Sequence, residues 1–341
     1  METTSHHSET YRVPAECDPH DGCIMAWPVR TELWGDHLAD AKADYAAVAR
    51  AIAPFEQVFM VCLPGQEAEV ERICDGMVTP VPIPINDSWT RDHGGVFVRD
   101  AQGGFVLVGF GFNAWGDRWH PHDDDARLAE RLASHFGVRY AAAPFVLEGG
   151  SWYTDGKGTL FTTEQCLLNP NRNPTRTKQD LERLLGQWLG AERVVWLPFG
   201  HSTDVGPEGT DGHIDGVMHV PDSGRVLLEA SSDERNREFA IQQANLARLR
   251  SELDRFGLST EIVQFDPGPM PKVAYLNHYQ ANGAVIVPIA GDDHDEPALA
   301  QLRAIYPERK VVGVPGKIIM FGGGGPHCIT QQIPVGALPR H

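Results

Sequence analysis

Short apolar runs alternate with longer amphipathic stretches along the chain, the pattern of strands interleaved with helices. The runs predict strands over 58–63, 95–99, 105–110, 145–154, 158–163, 193–197, 214–220, 225–230, 261–265, 284–289, 311–314 and 317–321. The stretches predict helices over 37–53, 66–76, 123–136, 177–189, 233–256 and 296–306. Pro297 suits the first turn of the last helix, where its missing amide hydrogen would have no partner. Leu246, Leu249 and Leu253 mark the face that the long helix 233–256 lays on a sheet. The strands come in pairs between single helices, so the fold class is α/β with antiparallel neighbours and not a purely parallel sheet. No Gly/Ser linker divides the chain, and its 35 glycines and 25 prolines are scattered among turns, so residues 1–341 read as a single domain.

Composition narrows the choice of partner. With 29 basic and 46 acidic residues the formal charge is −17, the wrong sign for displacing counterions from nucleic acid. Runs such as 58–63 and 105–110 fall far short of the roughly 20 apolar residues that cross a bilayer, so no membrane partner is expected. Residues 1–7 carry neither the basic cap nor the apolar core of a leader, which predicts a cytoplasmic location. The acidity favours instead a small cation drawn into a negatively lined cleft. Cysteines 17, 23, 62, 74, 166 and 328 form no C-x-x-C pair, so reduced thiols are expected in place of a disulfide framework or structural zinc. Cys62 lies inside an apolar run and reads as core.

Polar residues in unusual places carry the chemistry. Two acidic clusters, 120–125 and 291–296, directly precede predicted helices, where aspartates satisfy free amides and the helix dipole. They read as caps, and no metal site is expected. Four other segments resist that account. Residues 86–95 place Arg91 between Asp87 and Asp92, beside Trp89, at a strand entrance. Glu148 sits in an apolar, glycine-rich run and needs a partner if buried. His213 and Asp215 alternate about Ile214, which on an extended backbone puts both on one face. Finally, Gly322–Gly325 precede Pro326, His327 and Cys328, where glycines permit close approach of a substrate to the backbone. No G-K-[ST] follows, so a phosphate loop is excluded. A thiol beside such glycines, with a histidine and acids elsewhere, is a candidate nucleophile.

These segments, in this order, resemble the agmatine deiminase and peptidylarginine deiminase-like branch of the pentein (guanidino-group-modifying) superfamily. The likeness extends through Met25–Pro28, Gly111–Gly116, Leu147–Gly150, Leu167–Pro174, Thr210–Asp215, Asn282–Pro288 and His327–Gln332. It implies a five-bladed α/β propeller of ββαβ-like units with the active site on a pseudo-fivefold axis. It also implies hydrolysis of a guanidinium to a ureido group and ammonia without metal or organic cofactor, and a homo-oligomer. By matching motifs, Cys328 is the expected nucleophile, His213 the general acid/base, Asp92 and Asp215 the guanidinium-binding pair, and Glu148 the residue that orients the histidine.

The residue types suit that chemistry. Two carboxylates forked on a planar guanidinium give charge-assisted pairing and hold its carbon above a nucleophile. Trp89 and Trp115 are expected to line the channel for a cation with an apolar stem, Trp152 serves equally well as core, and Glu208 is placed at the mouth. The small cationic guanidino substrate is expected to be agmatine. Three departures from family wording bear on that choice: His93-Gly94-Gly95 after the W-x-R-D motif, Gly209 and Glu208 ahead of His213, and Gly325-Pro326 before the thiol. All lie where a substrate's distal end would be read. Arginine, a methylarginine or another guanidino metabolite therefore remain alternatives, as does amidino transfer to an amine. Arg30, Arg118 or Arg172 would be needed to hold an arginine carboxylate.

Overall fold

The computed structural model describes residues 10–339, and there sixteen strands form five small sheets around a common axis. The start read for a leader lies outside the described residues. In chain order the strands are β1 (His20–Ala26), β2 (Gln57–Cys62), β3 (Thr79–Pro82), β4 (Val96–Arg99), β5 (Phe105–Gly111), β6 (Arg139–Val146), β7 (Trp152–Thr154) and β8 (Thr159–Thr163). They continue as β9 (Arg193–Leu197), β10 (Met218–Asp222), β11 (Arg225–Glu229), β12 (Glu261–Phe265), β13 (Tyr279–Ala281), β14 (Ala284–Ile289), β15 (Lys310–Pro315) and β16 (Gln331–Pro334).

One unit recurs in every sheet: an antiparallel pair, a helix, then a strand parallel to the second. It is seen in β4-β5-β6, β7-β8-β9, β10-β11-β12 and β13-β14-β15. The remaining sheet has order β16-β1-β2-β3, so its antiparallel pair joins the last strand to the first. The ring is thus closed by the chain's two ends, and the fold is the five-bladed α/β propeller of the penteins.

Both faces of the blades are buried, which explains why their strands read as continuous apolar runs and not as alternation. Side chains of successive residues go to opposite interfaces. Ile24 and Ala26 pack toward Phe97 and Leu107 of the next blade, while Cys23 and Met25 pack toward Tyr279 and Ile286 of the last. Five apolar clusters result, one between each neighbouring pair of blades. Among the described residues no helix is long and apolar enough to cross a membrane, and all six cysteines are free.

The helices follow the amphipathic stretches: Leu38–Ile52, Glu67–Ile73, Leu128–Phe136, Lys178–Leu189, Phe239–Phe256 and Asp295–Ile305. Thr177 and Asp180 close the fourth with a reciprocal capping box. Several expectations need correction. Residues 317–321 form a helical turn, with Ile319 buried and Phe321 exposed, because a short apolar run does not by itself separate strand from helix. The run 145–154 is two strands of different blades broken at Glu148–Ser151. Residues 213–217 are irregular, and β10 begins only at Met218. Strand β3, with two prolines, lies at a sheet edge where missing amide donors cost nothing.

Closure through β16 sets a test. Ile333 on β16 is fully buried, whereas Val335 just beyond it is 41% exposed. Ile333→Ala should lower unfolding free energy in urea by about 2–5 kcal/mol, and Val335→Ala by less than about 0.5 kcal/mol. Equal small effects would mean that the closing strand adds no stability.

Candidate active site

Each blade sends the loop ahead of its first strand to the axis. Asp92 precedes β4, Glu148 precedes β7, His213 and Asp215 precede β10, Asn277 precedes β13, and Cys328 precedes β16, each by two to five residues. The five residues expected from sequence are all buried there. They converge so closely on Gly150 that a Cβ on it would lie 2.7 Å from His213 Nδ1, 2.9 Å from Asp215 Oδ2 and 3.0 Å from Asp92 Oδ1. The convergence does not come from the expected extended backbone. Asp211 and Gly212 adopt φ of 63° and 92°, and this left-handed turn aims His213 and Asp215 inward.

Three carboxylates and a thiol share this volume, and each carboxylate is held by protein donors. Asp92 accepts from the Gly150 amide and from Trp115 Nε1, both at 2.8 Å. Burial raises its pKa, the neighbouring His213 opposes the rise, and Asp215 and Glu148 add to it. Glu148 Oε1 accepts from Arg172 Nε at 2.6 Å. Against the effect of burial, Arg172 and then His213 hold the Glu148 carboxyl down to about 2. Asp215 Oδ2 lies 2.8 Å from His327 Nδ1, and His327 Nε2 lies 3.0 Å from Glu16 Oε2. Burial opposes it, but His327 and His213 keep the Asp215 carboxyl low.

His213 stands between the acids, with Nδ1 3.9 Å from Asp92 and Nε2 3.9 Å from Glu148. Burial disfavours its cation, but Asp92, Cys166 and Glu148 together raise its pKa well above the ordinary value. Cys328 Sγ lies 3.3 Å from Asp215 Oδ2 and accepts from Asn277 Nδ2 at 3.1 Å. Burial, then Asp215 and Asp92, push the thiol well above its ordinary value.

Of the four glycines, Gly322 and Gly323 line the mouth and the vestibule, in keeping with the expectation that glycines open this backbone to a substrate. Only Gly323 is left-handed, at φ 103°. A Cβ on Gly322 would meet the Trp34 ring, one on Gly324 would meet Trp89 and Cys328, and one on Gly325 would meet Asn277. At these three positions a protein side chain occupies the space beside the glycine, whereas Gly323 faces open space.

The mouth above Cys328 is lined by Leu33, Trp89, Asp92, Trp115, Trp119 and Glu208. It widens into a vestibule of about 300 Å³ bounded by Asp204, Glu208 and Phe321. Trp89, Trp115 and Glu208 therefore lie where expected, while Trp152 packs in the core between the second and third blades. Arg91 pairs with Glu16 at 3.1 Å and not with its aspartate neighbours. Asp87 is held instead by Arg30 at 2.7 Å. Asp125 accepts from the amides of Asn86 and Asp87, so it ties down the loop that carries Trp89 and Asp92 in place of capping its own helix.

The sequence marks none of Asn277, Glu16 and Trp119, gives His327 no role, and suggests Arg172 only as a holder for an arginine carboxylate. Asn277 lies ahead of β13, a strand that the apolar runs do not predict. The others reach the site through tertiary contacts. Two groups bring three possible metal-ligand atoms within 4.8 Å of one another. In Glu148, Cys166 and His213, the Arg172 guanidinium already neutralises the carboxylate. In Asp117, His120 and His122, the acid is one that the reading of 120–125 did not include, and the first two residues are exposed.

Comparison with known proteins adds the following. The family model of the Porphyromonas-type peptidyl-arginine deiminases matches residues 12–334. A Latilactobacillus sakei protein named as an agmatine deiminase is 35% identical across 98% of both chains. One from Legionella pneumophila, of the same name, is 37% identical across 95% of both. The solved agmatine deiminase of Enterococcus faecalis matches with a TM-score of 0.87 at 32% identity, over 95% of this chain and 96% of that one.

Glu148 yields a pH test. Its folded value of about 2 lies below the ordinary 4.5, so its ionised form adds stability above about pH 4.5 that is lost as pH falls toward 2. Glu148→Gln should cost about 3–5 kcal/mol at neutral pH, since Arg172 loses a buried partner. That cost, measured by urea unfolding, should shrink on acidification. A cost that grows as pH falls would contradict the assignment.

Proposed function

The chain belongs to the Porphyromonas-type peptidyl-arginine deiminase family, hydrolases of carbon–nitrogen bonds in linear amidines, and we propose that it converts agmatine to N-carbamoylputrescine and ammonia through a covalent amidino-cysteine. One observation carries the choice of agmatine. The mouth and vestibule present Asp204, Glu208 and three tryptophans, and no lysine or arginine among the described residues lines them. A polymethylene stem suits the tryptophans, and a distal ammonium suits the acids. An arginine carboxylate would find no partner there. Arg30, Arg118 and Arg172, its expected holders, are engaged by Asp87, Asp211 and Glu148 respectively.

In the proposed reaction Asp92 and Asp215 fork the guanidinium and hold its plane over Cys328. The bound cation offsets the two carboxylates that oppose thiolate formation, so the substrate assists its own attack. His213 carries a proton to the departing ammonia, then removes one from water, while Glu148 holds the ring in place. Asn277 steadies the sulfur.

Wild type should release ammonia from agmatine, with kcat/KM for arginine at least about 100-fold lower for want of a cationic partner. Cys328→Ala should abolish release. Glu208→Gln should raise KM for agmatine about 2- to 5-fold with kcat little changed, as befits one exposed ion pair. Equal use of arginine would overturn the substrate assignment, and an active Cys328→Ala would overturn the covalent route.

A further inference from the structure

Cys328 opens onto two spaces, and the mouth is only one of them. The second is a small chamber of about 30 Å³ bounded by His213, Asp215, Asn277, Ala274, Met320 and Cys328. By a water-sized measure that is room for one or two molecules. Its walls His201, Ala274 and Met320 also line a cavity of about 560 Å³, which borders the vestibule only at Thr203 and Met320. That cavity is mostly apolar, with Glu229, Asn236, Glu238 and His294 as polar groups in its lining. His201 is fixed at the join, with Nε2 3.0 Å from the Gly216 carbonyl and 3.5 Å from Glu229. His213 lines the chamber and is not among the residues of the mouth.

The proposed reaction needs such a second opening, and the inference rests on that reading. In the first half, the Cys328 thiol gives its proton to solvent as the guanidinium binds (and takes one back after the product leaves), the thiolate forms a carbon–sulfur bond, and a carbon–nitrogen bond breaks. The His213 proton goes to the leaving nitrogen, which departs as ammonia. The amidino carbon stays bonded to sulfur and keeps its alkyl stem, so the stem still fills the tryptophan mouth. In the second half, water adds to that carbon and gives a proton to His213. The carbon–sulfur bond then breaks with its electron pair returning to Cys328. The protonated ureido product loses its extra proton, which the released ammonia takes up as ammonium. Ammonia must therefore leave, and water arrive, while the substrate's own tail blocks the way it came in. Both events centre on His213, the residue that faces the chamber.

We propose that the chamber and the cavity behind His201, Ala274 and Met320 form a side passage through which ammonia leaves and the hydrolytic water enters during the life of the amidino-enzyme. Met320, unbranched and flexible, is the movable part of its wall. Ala274 is the informative position because it lines this passage and neither the mouth nor the vestibule.

Ala274→Phe should narrow the passage. During turnover of agmatine, acid quench and intact-protein mass spectrometry should find most of the variant carrying agmatine less ammonia. Its kcat should fall at least about tenfold with no rise in KM. Ala274→Leu should give a smaller effect in the same direction, which keeps the test usable if the phenylalanine disturbs folding. A folded Ala274→Phe with wild-type kcat would overturn the passage, as would loss of kcat without adduct. A wild type that releases ammonia from no guanidino compound would instead overturn the underlying reading of the reaction.

Discussion

Three buried carboxylates beside a buried thiol are the constraint from which the rest of this structure follows. Asp92 and Asp215 have oxygens against the volume that Cys328 faces, and Glu148 stands behind His213. Left alone, such a cluster would take up protons, because burial and mutual repulsion both oppose its charge. The protein answers with a specific donor for each: Trp115 and the Gly150 amide for Asp92, Arg172 for Glu148, and His327 for Asp215. Behind His327 stand Glu16 and Arg91. The site is thus kept charged from outside, and in the proposed reaction one further flat cation completes it.

The propeller makes that crowding possible. A single strand or helix would place these side chains one turn or two residues apart along one element. Five blades instead bring five separate loops to one axis, each from the same place ahead of a first strand. The support is equally non-local: Glu16 and His327, 311 positions apart in sequence, meet at 3.0 Å. Closure of the ring through β16 matters for chemistry as well as stability, because Cys328 sits on the loop that enters that closing strand.

Three strand pairs and the helices were legible because the inner strands of a blade are apolar on both faces, whereas β1, β3, β13 and β16, and with them the closing pair, were not read. The reactive residues were legible because their surroundings made them odd: an acid among glycines at 148, a thiol after glycines at 328. What could not be read was the purpose of the neighbours. Arg172 reads as a possible holder of a substrate carboxylate until Glu148 is seen against it. The glycines at 322, 324 and 325 look like a substrate cradle, yet Trp34, Trp89, Cys328 and Asn277 fill the space beside them. The error over 317–321 has a similar origin. Its apolar run suits either element, and only the tertiary position of Trp34 against Gly322 shows where the chain must turn.

In the proposed reaction Cys328 stays protonated until a guanidinium arrives between Asp92 and Asp215. This is most directly tested by comparing two pH profiles of the wild-type protein: the rate of iodoacetamide alkylation at Cys328 in the free enzyme, and kcat/KM for agmatine. Alkylation should rise only well above the ordinary cysteine value of about 8.5, with turnover already substantial near neutrality. Alkylation at Cys328 that is complete at or below neutral pH would mean a resting thiolate, and would contradict the proposed reaction.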